Sequence, residues 1–303
     1  MFTTLRATTT ALLCLSAGLF AQTSQAQALP KPVQQALKEA QIPPAAMGTW
    51  VQEVSLKAAP ARQGKISVNA QTAMVPASVM KLVTSSAALD VFGPAQRWKT
   101  HAYITTPIIS GVLRGDLILQ GGGDPKLVYE NFWQLLRQLR KQGLREIEGN
   151  IIIDRSLFAV AETTGAEFDG EPSRAYNVGP DALLLNFKAL RLRLIPDAGQ
   201  VKLQSEPPLA GVEMVPPLLG SGPCGDWKDH LTLTWQGKNL LIQGSYPASC
   251  GIQNWSIHPH GLNANQYAHA LFSALWAELG GSFSGQVKDG KLADLVGVSS
   301  PQL

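Results

Sequence analysis

Two side chains in the stretch "MVPASVMKLVTSSAALDVFG", Ser78 and Lys81, have the types and spacing of a nucleophile and its activating amine. Residues three apart on a helix share a face, so hydroxyl and amine would be presented together. Pro76 suits a first helical turn, and a serine near that end lies at the positive pole of the helix, which favours a forming alkoxide. The amine could act as a base only if burial and neighbours favoured its neutral form. The same spacing also fits an ordinary helix start, with Ser78 as a cap and Lys81 solvated, and one such tetrapeptide arises by chance at about this chain length. The flank "LVTSSAALDVF" is apolar and rich in small residues. It suits a buried central helix, in which Lys81 would be partly desolvated.

Other reactive types are sparse. Cys14, Cys224 and Cys250 are the three cysteines, and HExxH, CxxC and clustered histidines are absent. His258 and His260 flank Pro259 with no third ligand nearby, so they read as structural or solvated and no metal is expected. "GGGDP" from Gly121 lacks the Lys-Ser/Thr of a nucleotide cradle and reads as a tight turn; no cofactor is expected.

The opening residues carry Arg6, an apolar run from Ala11 to Ala21 and the small-residue site Ala26-Gln27-Ala28. This predicts a secretory signal peptide cut after Ala28 and a periplasmic mature protein. The apolar run is far below the roughly 20 residues that span a bilayer, so no transmembrane segment is expected in the mature chain. Leu12 and Leu13 stand where a lipoprotein signal centred on Cys14 would need small residues. Cleavage would leave Cys224 and Cys250 as an even pair in an oxidising compartment, read first as a disulfide and second as two buried thiols. The formal charge of +3, without a basic run interleaved with aromatics, argues against a nucleic-acid partner. With 45% apolar and 16% charged residues the chain is an ordered globular protein.

The elements that must position these residues follow from periodicity. A helix from Val33 stops before Pro43-Pro44. Strands follow at "TWVQEV" and "KISVNA", with a turn around Gln63-Gly64, and then comes the Ser78 helix. From Ala102 to Ile152 strand and helix alternate, with two runs in "HAYITTPIISGVLRGDLILQ", a helix in "NFWQLLRQLRKQG" and one returning strand in "EIEGNIIIDRSLF". Between Leu183 and Trp255 alternation of period two dominates, with turns at Pro196-Asp197 and Gly237-Lys238. "NANQYAHALFSALWAELGG" is a helix with Tyr267, Leu271, Ala274, Leu275 and Leu279 on one face, and "SFSGQVKDG" and "DLVGVSS" are the last strand candidates.

"NAQTAMVPASVMKLVTSSAALDVFGPAQRWKT" resembles the nucleophile region of penicillin-binding proteins, in particular the D-Ala-D-Ala carboxypeptidase/endopeptidase class with a large insertion after SxxK. "LILQGGGDPKL", "GNIIIDRSLF", "RAYNVGPDALLLNFKALRLRLIP" and "HPHGLNANQYAHALFSALWAELGG" resemble successive segments of that family in the same order. The resemblance implies a mixed α/β (α+β) fold: the amino-terminal part of a transpeptidase-like domain with an inserted β-rich region. The divisions expected are 1–28 as signal peptide, 29–100 as the catalytic piece, 101–185 with 256–295 as an inserted α/β domain, 186–255 as a nested β-rich domain, and 296–303 as the return to the catalytic domain.

By the same resemblance Ser78 is acylated, Lys81 takes its proton, and the Ser78 N–H supplies half of an oxyanion hole. The implied partners are peptidoglycan stem peptides and β-lactams. Asp154 would either meet the amino group of a stem-peptide side chain or cap a turn with Ser156. The family's S-x-N and K-T-G motifs should follow Ser78, yet the only S-x-N, Ser67-Val68-Asn69, precedes it and Lys99-Thr100 leads to His101. The expectation is a truncated enzyme of low or no activity. The alternative is a non-catalytic exported module that binds peptidoglycan or a partner protein.

Overall fold

The computed structural model describes residues 29–52, 66–159, 163–295 and 297–299. The expected signal peptide, the turn at Gln63-Gly64 and the last residues lie outside them. The chain divides into two units, Met1–Ala95 and Gln96–Leu303.

In the first unit, proline sets both limits of helix α1 (Lys31–Glu39): a proline occupies its first turn, and Pro43-Pro44 follows its end. Strands β1 (Thr49–Val51) and β2 (Ile66–Val68) pair antiparallel, Trp50 opposite Ser67. Asn69, at φ 49°, donates from its amide to the carbonyls of Pro44 and Met47 at 3.0 and 2.9 Å and ties this hairpin to the preceding turn. A 3-10 turn, Ala77–Val79, feeds helix α2 (Met80–Phe92), which Gly93 ends at φ 74°. The buried central helix expected here is not what the chain builds. Every residue of α2 is exposed, including Leu82 at 71% and Phe92 at 60%, and no described residue of the first unit is buried. The composition of α2 is that of a helix needing cover on all sides, and the described residues of its own unit do not supply that cover.

The second unit holds the core. In chain order it contains β3 (His101–Ile104), β4 (Val112–Leu113), β5 (Leu117–Gln120), helix α3 (Tyr129–Lys141), β6 (Glu146–Ile147) and β7 (Ile151–Asp154). A β-rich excursion follows: β8 (Leu190–Asp197), β9 (Gln200–Glu206), β10 (Met214–Val215), β11 (Leu218–Gly220), β12 (Leu231–Gln236), β13 (Asn239–Pro247) and β14 (Gln253–Ile257). The chain returns through helix α4 (Ala264–Glu278), β15 (Ser282–Phe283) and β16 (Val287–Asp289).

Strands β16, β7 and β5 run parallel with β3 antiparallel at the edge, while β15, β6 and β4 form a second small parallel sheet. Ile151 to Asp154 are all buried, as parallel strands covered on both faces must be. Phe132 of α3 and Phe272 of α4 meet in that layer, Phe272 also stacking on Trp276. The β-rich excursion comprises the sheet β14-β8-β9 and a second sheet in which β13 pairs with β10, β11 and β12. One continuous apolar cluster runs from Leu117 and Ile151 to Leu192, Tyr246 and Leu271.

Three local expectations change. The single strand over "EIEGNIIID" is two strands in different sheets, separated at Gly149, which passes so close to Gly115 that a Cβ on it would stand 2.2 Å from that carbonyl oxygen. The turn between β8 and β9 is Ala198-Gly199 (φ 44° and 85°), and Pro196 is within β8, opposite Val201. Pro196 is tolerated because β14 reaches only to Leu194, leaving its missing N–H without a second partner strand. "DLVGVSS" contributes the short 3-10 turn Leu292–Asp294 and a single bridge from Ser299 to Ile104.

Candidate active site

Ser78 sits in the 3-10 turn ahead of α2, just after Ala77, which adopts φ 43°. A left-handed alanine costs on the order of 1 kcal/mol and turns the chain sharply before the hydroxyl. Lys81 Nζ donates to Ser78 Oγ at 2.7 Å. Ser78 does not cap the helix: the N-cap position is Val79 and carries no side-chain cap. The two side chains are thus in hydrogen-bond contact, and Ser78 is not the helix cap. Both side chains are exposed. For proton abstraction the lysine must exchange its role, accepting from Oγ as a free amine.

Asp154 lies in the second unit, at the carboxyl end of β7, and is 2% exposed. Its carboxylate accepts from Ser156 N at 2.9 Å, Leu292 N at 3.0 Å and Gln120 Nε2 at 3.2 Å. Desolvation is the largest single influence on this group and raises its pKa, but the hydrogen bonds from Ser156, Leu292 and Gln120 outweigh it and hold the carboxyl below the ordinary aspartate range. The turn with Ser156 is thus present, and the carboxylate is engaged within its own unit.

Arg155, which the sequence did not single out, is the hub beside it. Its guanidinium donates to Asp181 at 2.9 and 3.0 Å, to Asn265 at 2.9 Å and to Asp289. The available signal was a cation placed directly after the strand Ile-Ile-Ile-Asp. These bonds fasten the ends of β7 and β16 to the start of α4.

The "GGGDP" segment is a tight crossing, as its residues suggest. A Cβ on Gly121 would stand 2.3 Å from the Ala182 oxygen and one on Gly122 1.9 Å from the Lys99 oxygen, while Gly123 has φ 72°. His258 and His260 are structural: His258 is 4% exposed with Nδ1 3.1 Å from the Pro172 oxygen, and His260 Nδ1 is 3.2 Å from Ser173 Oγ. Among the described residues no group of three or more His, Cys, Asp or Glu could hold a metal. Cys224 and Cys250 are joined as a disulfide, Cα atoms 4.7 Å apart, closing a separation of 26 residues. Such a loop contributes on the order of 3 kcal/mol by restricting the unfolded chain. No helix among the described residues is long and apolar enough to cross a membrane.

Known proteins resemble this chain in sequence and in fold. A stretch of 91 residues is 34% identical to the D-alanyl-D-alanine carboxypeptidase DacB of Haemophilus influenzae, covering 30% of this chain and 19% of that protein. A stretch of 86 residues is 35% identical to a D-alanyl-D-alanine carboxypeptidase of Actinomadura, covering 28% of this chain and 16% of that one. The crystal structure of penicillin binding protein 4 (DacB) from H. influenzae superposes with a TM-score of 0.59 at 22% identity, over 76% of this chain and 51% of the other. The same protein bound to a β-lactam superposes with a TM-score of 0.52 at 21% identity, over 76% of this chain and 49% of the other. This chain thus spans about half the length of the solved structures it matches. The profile of the D-Ala-D-Ala carboxypeptidase 3 (S13) family matches residues 29–295, nearly all of the described chain, and the protein belongs to that family.

Proposed function

We propose that the protein is a serine-type D-Ala-D-Ala carboxypeptidase/endopeptidase of the periplasm, acting on peptidoglycan stem peptides and acylated by penicillins. The observation that carries this reading is the 2.7 Å contact of Lys81 Nζ with Ser78 Oγ at the mouth of α2. Ser78 Oγ attacks the carbonyl of the penultimate D-Ala, and Lys81 accepts the hydroxyl proton. The bond to the terminal D-Ala nitrogen breaks with a proton delivered to that nitrogen. Water then hydrolyses the serine ester, releasing the shortened peptide and free Ser78. The family assignment and the relatives named as D-alanyl-D-alanine carboxypeptidases support the substrate class. The β-lactam-bound neighbour supports acylation by the drug.

Neither S-x-N nor K-T-G follows Lys81 in the 303 residues. Together with the uncovered α2, this leads us to propose that the stretch alone turns over peptide slowly or not at all. Mass spectrometry after long exposure to benzylpenicillin tests the reading. The expected result is a single covalent adduct on the wild type and none on Ser78→Ala, with D-Ala release near background. An unmodified wild type would overturn Ser78 as a competent nucleophile and leave the non-catalytic binding module as the better account.

A further inference from the structure

The sheet β14-β8-β9 buries Leu190, Leu192 and Leu194 on one face and turns Arg191 and Arg193 outward on the other. Cross-strand register sorts that outward face into two rows. One holds Ser256, Arg191 and Glu206, and the other Asn254, Arg193 and Gln204. In the first row Arg191 has its own carboxylate, Glu206, at 3.6 Å. In the second, a carboxamide stands where that carboxylate would be, and Arg193 has no ion pair among the described residues. Arg191, Arg193, Gln204, Ser205, Glu206 and Asn254 border one open, shallow stretch of this surface.

A guanidinium presents parallel N–H donors that match one carboxylate. The amides of Asn254 and Gln204, one on each neighbouring strand, add donors on both flanks. Among the described residues the lining of this surface is polar and charged, without an aromatic side chain. We infer that Arg193, with Asn254 and Gln204, binds a carboxylate of an uncrosslinked peptidoglycan stem peptide laid across the sheet. The site is built wholly within the second unit and is distinct in its residues from the Ser78 pair. The identity of the peptide rests on the proposed function; the complementarity of Arg193 for a carboxylate does not.

Co-sedimentation with purified sacculi tests it, with benzylpenicillin labelling of the same variants as a separate readout. Arg193→Gln is expected to reduce the bound fraction about tenfold at low salt, as loss of a charge-assisted pair would. Gln204→Glu should do the same by giving Arg193 an internal carboxylate, and Arg191→Gln should cost less because Arg191 is already paired. Sacculi stripped of stem peptides by an amidase should retain little protein. All three positions are exposed, so unchanged circular dichroism and thermal midpoint are expected. Equal binding by wild type, Arg193→Gln and Gln204→Glu, or undiminished binding to stripped sacculi, would overturn the inference even if Ser78 is labelled. Binding that depends on Arg193 without labelling at Ser78 would sustain the inference and remove the catalytic reading.

Discussion

Replacing Asp154 by alanine is expected to destabilise the second unit by about 2 to 4 kcal/mol, the cost of leaving neutral buried donors without their charged acceptor. The donors of Ser156, Leu292 and Gln120 would lose their acceptor at once, in a site that is 2% exposed. Asp154→Asn should cost less, because one oxygen acceptor remains while the charge is lost. Equilibrium denaturation by urea measures both. A change below about 1 kcal/mol for Asp154→Ala, the range of ordinary surface substitutions, would show that the carboxylate is not part of the frame. The pH dependence has a defined sign: the folded carboxyl titrates below its unfolded value, so its contribution is present above the unfolded pKa and lost as pH falls through the folded one.

Acidification between pH 6.5 and 4 is expected to remove about 3 kcal/mol through His258 alone. Burial, chiefly, and then the charges of Lys188 and His260 push its pKa down to about 4, against the opposing hydrogen bond with Pro172. Because the folded value is depressed, the neutral ring stabilises the fold above the unfolded pKa near 6.5, and that contribution disappears as pH falls toward 4. Nε2 is buried without a partner among the described residues, so a proton placed there finds no acceptor among them. His258→Phe keeps an aromatic ring, somewhat larger than imidazole, but loses the contact with Pro172. It should be less stable than wild type at pH 7 by about 1 kcal/mol and more stable than wild type near pH 4. Parallel stability curves for the two proteins across this range would refute the assignment.

Legibility in the sequence followed the range of the interactions. α4 was readable because Tyr267, Leu271, Leu275 and Leu279 repeat at helical spacing; the capping box of Asn263 and Gln266, each bonding the other's backbone N–H, emerged only in the structure. The glycines of "GGGDP" were readable as a turn, but the reason for each, a passing carbonyl of Lys99 or Ala182, was not. Asp154 could not be assigned from its neighbours because its third donor, Leu292, is 138 residues away. The extent of α2 was readable, but not its exposure, since burial depends on which surfaces cover a helix and not on its own composition. Ser78 and Lys81 were recognisable by spacing and by family likeness, whereas Ala77 at φ 43° had no signal in a residue that ordinarily avoids that region.

The parallel sheet also fixes an order of events in synthesis. β7 pairs with β5 soon after both emerge, but its other neighbour, β16, and the Leu292 donor to Asp154 come from the far side of the β-rich excursion. At roughly 5 to 20 residues per second, the apolar edge "III" waits about 7 to 28 s for its partner, so the interval favours association with another exposed strand. Pulse proteolysis of nascent chains should find this unit unprotected until β16 has been made; protection of chains ending before Ser282 would show that the sheet tolerates an open edge.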